Sequence, residues 1–115
     1  MALTLQHTQP CQQFYLDSLP ITAEYVEQLH PSHPTVHRLR LLPGSFRHNI
    51  PPSVITIIIK QQKDGWEKEF EVEKGAYEKL DELQGIVIPE LYGQGSFNGV
   101  PALILSDVAG NTQQD

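Results

Sequence analysis

Between Ser53 and Gln62 the chain reads SVITIIIKQQ, its densest run of β-branched residues. Such a run predicts an interior strand covered on both faces. TVHRLRLL, 35–42, alternates Val36, Arg38 and Arg40 with His37, Leu39 and Leu41, which predicts a strand with one half-polar face. Near the C-terminus, GIVIPELYG and VPALILSDV predict two more strands joined through QGSFNG, where Asn98-Gly99 is hairpin turn chemistry. Pro89 marks the first of them as bulged or partly an edge. PGSFRHNIPPS supplies turns, with a short strand expected around Phe46.

The other period in the chain is helical. KDGWEKEFEVEKGAYEKLDELQG, 63–85, places Trp66, Phe70, Tyr77 and Leu80 on one face, with Glu73 filling the gap in that stripe. Asp64 followed by Glu67 is a capping-box pattern, and Gly85 stands where a left-handed C-terminal residue belongs. Earlier, PITAEYVEQLHP predicts a short helix with Thr22 as N-cap, Tyr25, Val26 and Leu29 on one side and Pro31 as its stop. The prolines of HPSHP then predict a linker or turn. Residues 1–17 show no clear period.

These elements predict an α+β domain: a mainly antiparallel sheet of about five strands carrying one principal helix. The expected division is a leader with a short helix at 1–34, the domain at 35–112 and a polar tail at 113–115. A length of 115 residues suits one core. Neither a basic start nor a continuous apolar stretch suggests a secretory signal, and no segment has the ~20 apolar residues of a membrane span. A cytoplasmic location is the expectation. The net charge of −6 argues against binding nucleic acid or an anionic membrane through bulk electrostatics. Arg38, Arg40, Arg47 and nearby histidines make a mildly basic region, read as solvated strand and loop residues.

Lys60 closes the apolar strand and Glu73 lies on the inner stripe of the next helix. A carboxylate on a buried helix face is costly unless paired. From the period alone, two arrangements stay open: Lys60 meets Glu73, or Lys60 snorkels into solvent with Glu73 at the rim. His30, His33 and His37 do not suggest a metal site, because Pro31 and Pro34 prevent the helical spacing that gathers imidazoles. Cys11 is the only cysteine and sits in the polar leader, so no internal disulfide forms. Asp107 is expected to be a solvent-facing turn former.

ITIIIK resembles the third strand of the protein-kinase-like fold, which delivers a lysine to nucleotide phosphates. FEVEKGAYEKL is similar to the helix whose glutamate pairs with that lysine, as in the kinase-like phosphotransferases, related to the aminoglycoside phosphotransferases, of fungal genomes. ALILSDVAGN resembles the fifth strand and hinge. The resemblance covers 36–112 and implies Lys60 as the phosphate contact, Glu73 as its partner, Leu105 as gatekeeper, and the Ser106 carbonyl and Val108 amide as groups that meet adenine. Lys63, in the turn QQKDG, is the weaker choice of lysine.

Departures from that family are clear. No G-x-G-x-x-G loop precedes Lys60, and the stretch taken as its equivalent, LLPGSFRHN, holds only Gly44. Ile58 stands two before the lysine, where kinases usually keep alanine. There is no H-R-D-x-x-x-x-N catalytic loop and no D-F-G.

The expectation is therefore a lone kinase-like amino-terminal lobe without phosphotransfer activity. It would serve as an interaction or regulatory module through surface left by the missing lobe, on a protein partner or as a homodimer, with residual binding of ATP, another nucleotide or a small anion. No other cofactor and no metal is expected. The alternative is a small enzyme using Lys60 as base or electrostatic group and Glu73 as acid in non-phosphotransfer chemistry.

Overall fold

The structure, a computed structural model, describes residues 11–44, 46–80 and 88–107. Six strands and one helix follow one another: β1 Cys11–Leu16, β2 Leu19–His30, β3 His33–Leu41, β4 Thr56–Gln61, α1 Glu67–Lys79, β5 Leu91–Phe97 and β6 Val100–Ser106. All neighbouring strands are antiparallel, and they close into a barrel in the order β1-β2-β3-β4-β6-β5. This corrects the expected open sheet of about five strands with a principal helix. The sixth strand is β1, in the segment read as leader, and it joins the two edges that an open sheet would have left free.

A barrel needs an inside, and alternation supplies it. Phe14 and Leu16 on β1, Ile21 and Ala23 on β2, Leu39 and Leu41 on β3, Ile57 and Ile59 on β4, Phe97 on β5, and Ala102 and Ile104 on β6 form one buried cluster. Every second residue points inward because successive side chains of a strand leave opposite faces. The loop between β3 and β4 closes one mouth: Ile50 joins the core, Asn49 Nδ2 donates to the Tyr92 carbonyl at 3.2 Å, and Arg47 Nη1 donates to the carbonyls of Pro51, Pro52 and Val54. Phe46 is exposed in that loop and lies in no strand.

The short helix expected over 20–30 is β2 instead. Ile21 and Ala23 point inward in step, but register shifts after Tyr25 and after Gln28 reset the phase. Apolar residues at 25, 26 and 29 consequently fall at helical spacing although the backbone is a bulged strand. Pairing of β2 with β3 runs across the expected 34/35 boundary. HPSHP is a two-residue turn between strands, with His30 opposite His33.

Glycine decides the position of β5. Its sequence LYGQGSF overlaps the expected connection, and Gly95 lies against the β1 backbone: a Cβ there would fall inside the van der Waals radius of the Tyr15 carbonyl oxygen. Such close approach is a main reason to find glycine in a strand. The following Asn98-Gly99 turn has positive φ at both residues, 54° and 79°, as a two-residue hairpin turn requires.

Helix α1 packs outside the barrel, Phe70 meeting Leu103 and Leu105 with Ile58, Tyr77 and Leu91 around them. It starts later than the capping box suggested. Lys63 to Trp66 form a turn closed by Trp66 N donating to Lys63 O, Gly65 sits at φ 84°, and the N-cap is Trp66, which makes no side-chain capping bond. Trp66 and Leu80, at the ends of the expected stripe, are exposed, and Gly85 lies outside the described residues. Among the described residues no helix is long and apolar enough to cross a membrane.

Two outcomes test this architecture. Gly95→Ala should destabilise the protein by about 3 kcal/mol, because a backbone seam must move to admit a methyl group; a denaturant melt within error of wild type would contradict the β1–β5 seam. Burial, then the charge of Glu90, pushes the Tyr92 phenol up to about 12 from 10.0. The raised folded-state value means stability is intact below pH ~10 and falls as pH rises toward ~12. Tyr92→Phe should make that slope shallower but not abolish it, since Tyr25 and Tyr77 are raised too, mainly by burial. Melts across this range check the sign.

Candidate functional site

Inward Ile57 and Ile59 leave Ile58 and Lys60 on the outer face of β4, toward α1. Lys60 Nζ donates to Glu73 Oε2 at 2.6 Å, and the two side chains are 40% and 31% exposed. Of the two arrangements left open by the period, the structure shows the pair. Three residues before Glu73, Phe70 pins the helix to β6, which sets Glu73 over the strand end.

Lys60 and Glu73 line a cleft of about 240 Å³ with Thr35, Gln61, Gln62, Lys63, Trp66, Glu69 and Phe70. Lys63 holds its ammonium 5.3 Å from the centroid of the Trp66 ring. Trp66, 52% exposed, gives the cleft an aromatic wall, and buried Phe70 lies behind it. A larger hollow of about 690 Å³, lined by Tyr15, Asp17, Ser18, Lys74, Gln94, Gly95 and Ser96, lies elsewhere and brings no comparable pair together.

The remaining residues implied by the kinase resemblance are not gathered in this cleft. Leu105 is buried beneath α1 in the cluster around Phe70. Ser106 exchanges bonds with Glu90, its amide donating to the Glu90 carbonyl and its Oγ accepting from the Glu90 amide, both at 2.9 Å. Val108 lies outside the described residues. LLPGSFRHN, taken as the equivalent of the phosphate loop, is at the opposite end of the barrel: Arg40 pairs with Thr56 at that end, whereas Val36 pairs with Lys60. The β2–β3 turn is the one on the Lys60 side, and Thr35 of β3 reaches the cleft.

Two polar clusters escaped the sequence reading. Asp107 is 2% exposed, not solvent-facing, and accepts from Arg38 Nε at 2.6 Å and from Thr56 Oγ1 at 2.9 Å. Arg38 also pairs with Glu27, and its guanidinium is held above the ordinary arginine range, chiefly by the hydrogen bond to Asp107. Inside the open mouth, Gln61 Nε2 donates to the Phe97 carbonyl at 2.9 Å, so its Oε1 accepts from His37 Nε2 at 2.7 Å. That assignment leaves His37 Nδ1 facing the Tyr25 hydroxyl at 2.9 Å. The signal for both clusters is strand parity: Arg38 shares the outer face with Ile58, and His37 the inner face with Ile59, once β3 and β4 are paired.

The two ion pairs should respond unequally to mutation. Lys60→Met should cost less than about 1 kcal/mol, since partly exposed pairs contribute little. Asp107→Ala should cost about 3 kcal/mol, because it removes the buried acceptor of Arg38 Nε and Thr56 Oγ1. Equal losses in urea melts would mean that Lys60 serves the fold as Asp107 does.

Compared with protein-family models, curated proteins and solved structures, the chain matches none.

Proposed function

We propose that this chain is a binding module in which Lys60, held by Glu73, receives the phosphate of a small ligand. The observation that carries the reading is the Lys60–Glu73 pair at the wall of an open cleft. A lysine ammonium has three N–H donors. One is used on Glu73, which fixes the side chain, and the others point the same charge at a ligand.

Chain order supports the same reading only from β4 onward. β4 carries Lys60 next to its last residue, the Glu73 helix follows and the antiparallel pair β5–β6 comes last, but three strands precede β4, so the lysine strand is the fourth and not the third. The closed barrel departs from the open sheet expected of a kinase amino-terminal lobe. The enzyme alternative finds less support, since reactive lysines are desolvated in apolar pockets and Lys60 is partly exposed beside a carboxylate.

Thermal-shift titration with ATP and ADP, with and without magnesium, tests the proposal. A saturable rise in melting temperature is expected, about 2.7 kcal/mol of stabilisation at a hundredfold excess over Kd. It should vanish in Lys60→Met, whose unliganded melt stays close to wild type. No shift at millimolar nucleotide would remove the reading.

A further inference from the structure

Resting on the phosphate reading of the Lys60 cleft, we infer that its ligand is a nucleoside polyphosphate whose base stacks on the exposed Trp66 ring. The base is held there without being identified.

One face of the helix builds the cleft. Trp66, Glu69, Phe70 and Glu73 all line it, at the i, i+3, i+4, i+7 spacing that sets side chains in a row. Glu73, bonded to Lys60, stands at one end of that row and Trp66 at the other. Seven residues of helical rise put about 10 Å between the two ends, a separation that a ribose spans between a base and its phosphate chain.

Trp66 has little to do for the fold. Its side chain makes no capping bond, joins neither core cluster and is 52% exposed, although buried Phe70 lies one turn away. The ring's neighbour is the Lys63 ammonium, 5.3 Å from its centroid. Cation–π contacts at exposed sites are weak, so a phosphate chain at Lys60 offers Lys63 a better partner, and its departure clears the indole for a base.

Size and bonding limit what the cleft can read. Pockets for drug-sized molecules run from about 300 Å³ upward, and this one encloses about 240 Å³, so the base rests at its open side. Gln61 is held by His37 and the Phe97 carbonyl, and Glu73 by Lys60. Stacking contributes affinity whichever base is present, because every base has a π face.

Calorimetric titration with tripolyphosphate, ATP and GTP, followed in parallel by indole fluorescence, tests this in the wild-type chain, whose only tryptophan is Trp66. ATP and GTP are expected to bind at least about fivefold tighter than tripolyphosphate and within about threefold of each other. Both should quench the indole more than saturating tripolyphosphate does. Tripolyphosphate binding as tightly as ATP, equal quenching by the two, or a preference of about tenfold between the bases would overturn this inference and leave the phosphate reading in place. Failure of all three at millimolar concentration, or binding that survives Lys60→Met, would overturn the phosphate reading and this inference with it. In Trp66→Leu, with folding checked by its melt, the advantage of ATP over tripolyphosphate should fall to about twofold or less; an unchanged advantage in the folded variant would remove Trp66 as the platform.

Discussion

Six strands become a barrel only where β1 meets β5, and that seam depends on a residue without a side chain. Phe14 pairs with Phe97, Tyr15 with Ser96 and Leu16 with Gly95, and only glycine at 95 lets the two backbones come together. Closure seals the inner face and removes the free sheet edges at once. It buries the inward-facing apolar side chains of all six strands in one cluster, while Leu103 and Leu105 on the outer face of β6 pack beneath α1. The chemistry that remains is therefore confined to the outer face and the mouths.

On that outer face, β4 sets two ion pairs close together with different physical roles. Asp107 is enclosed, receives bonds from β3 and β4, and ties the end of β6 to the barrel wall. Lys60 and Glu73 are partly in solvent, where attraction between them is screened. Burial separates the enclosed bridge from the partly exposed pair, although the two have similar hydrogen-bond lengths. Phe70 links them indirectly, since by packing on Leu103 and Leu105 it holds the helix that carries Glu73.

How much of this was legible in the sequence follows from the range over which each feature is determined. β4 announces itself through its β-branched run, β6 through its apolar run, and the β5–β6 turn through Asn98-Gly99, all local signals. Lys60 and Glu73 could be singled out because each breaks a local apolar pattern. β1 could not, for it has only Phe14 and Leu16 pointing inward, and its existence depends on partners near 20 and near 96. The Asp17-Ser18 turn that joins it to β2 adopts positive φ at both residues without glycine, so its turn chemistry is muted. In β2, bulges reproduced a helical spacing, and in β5 Gly95, which reads as loop chemistry, serves close backbone approach instead. Arg38 with Asp107 was hidden for a related reason: 69 residues separate them, and only the pairing of β3, β4 and β6 brings them together.

The proposed ligand contact lies in the cleft between β4 and α1, outside the sealed core. Residue-resolved NMR during titration with tripolyphosphate tests this most directly. The account predicts saturable shifts at Lys60, Lys63, Glu73 and the Trp66 indole, with Phe14, Phe97 and Leu105 unmoved. Shifts centred on Leu105 and Arg38, with Lys60 and Glu73 silent, would contradict it.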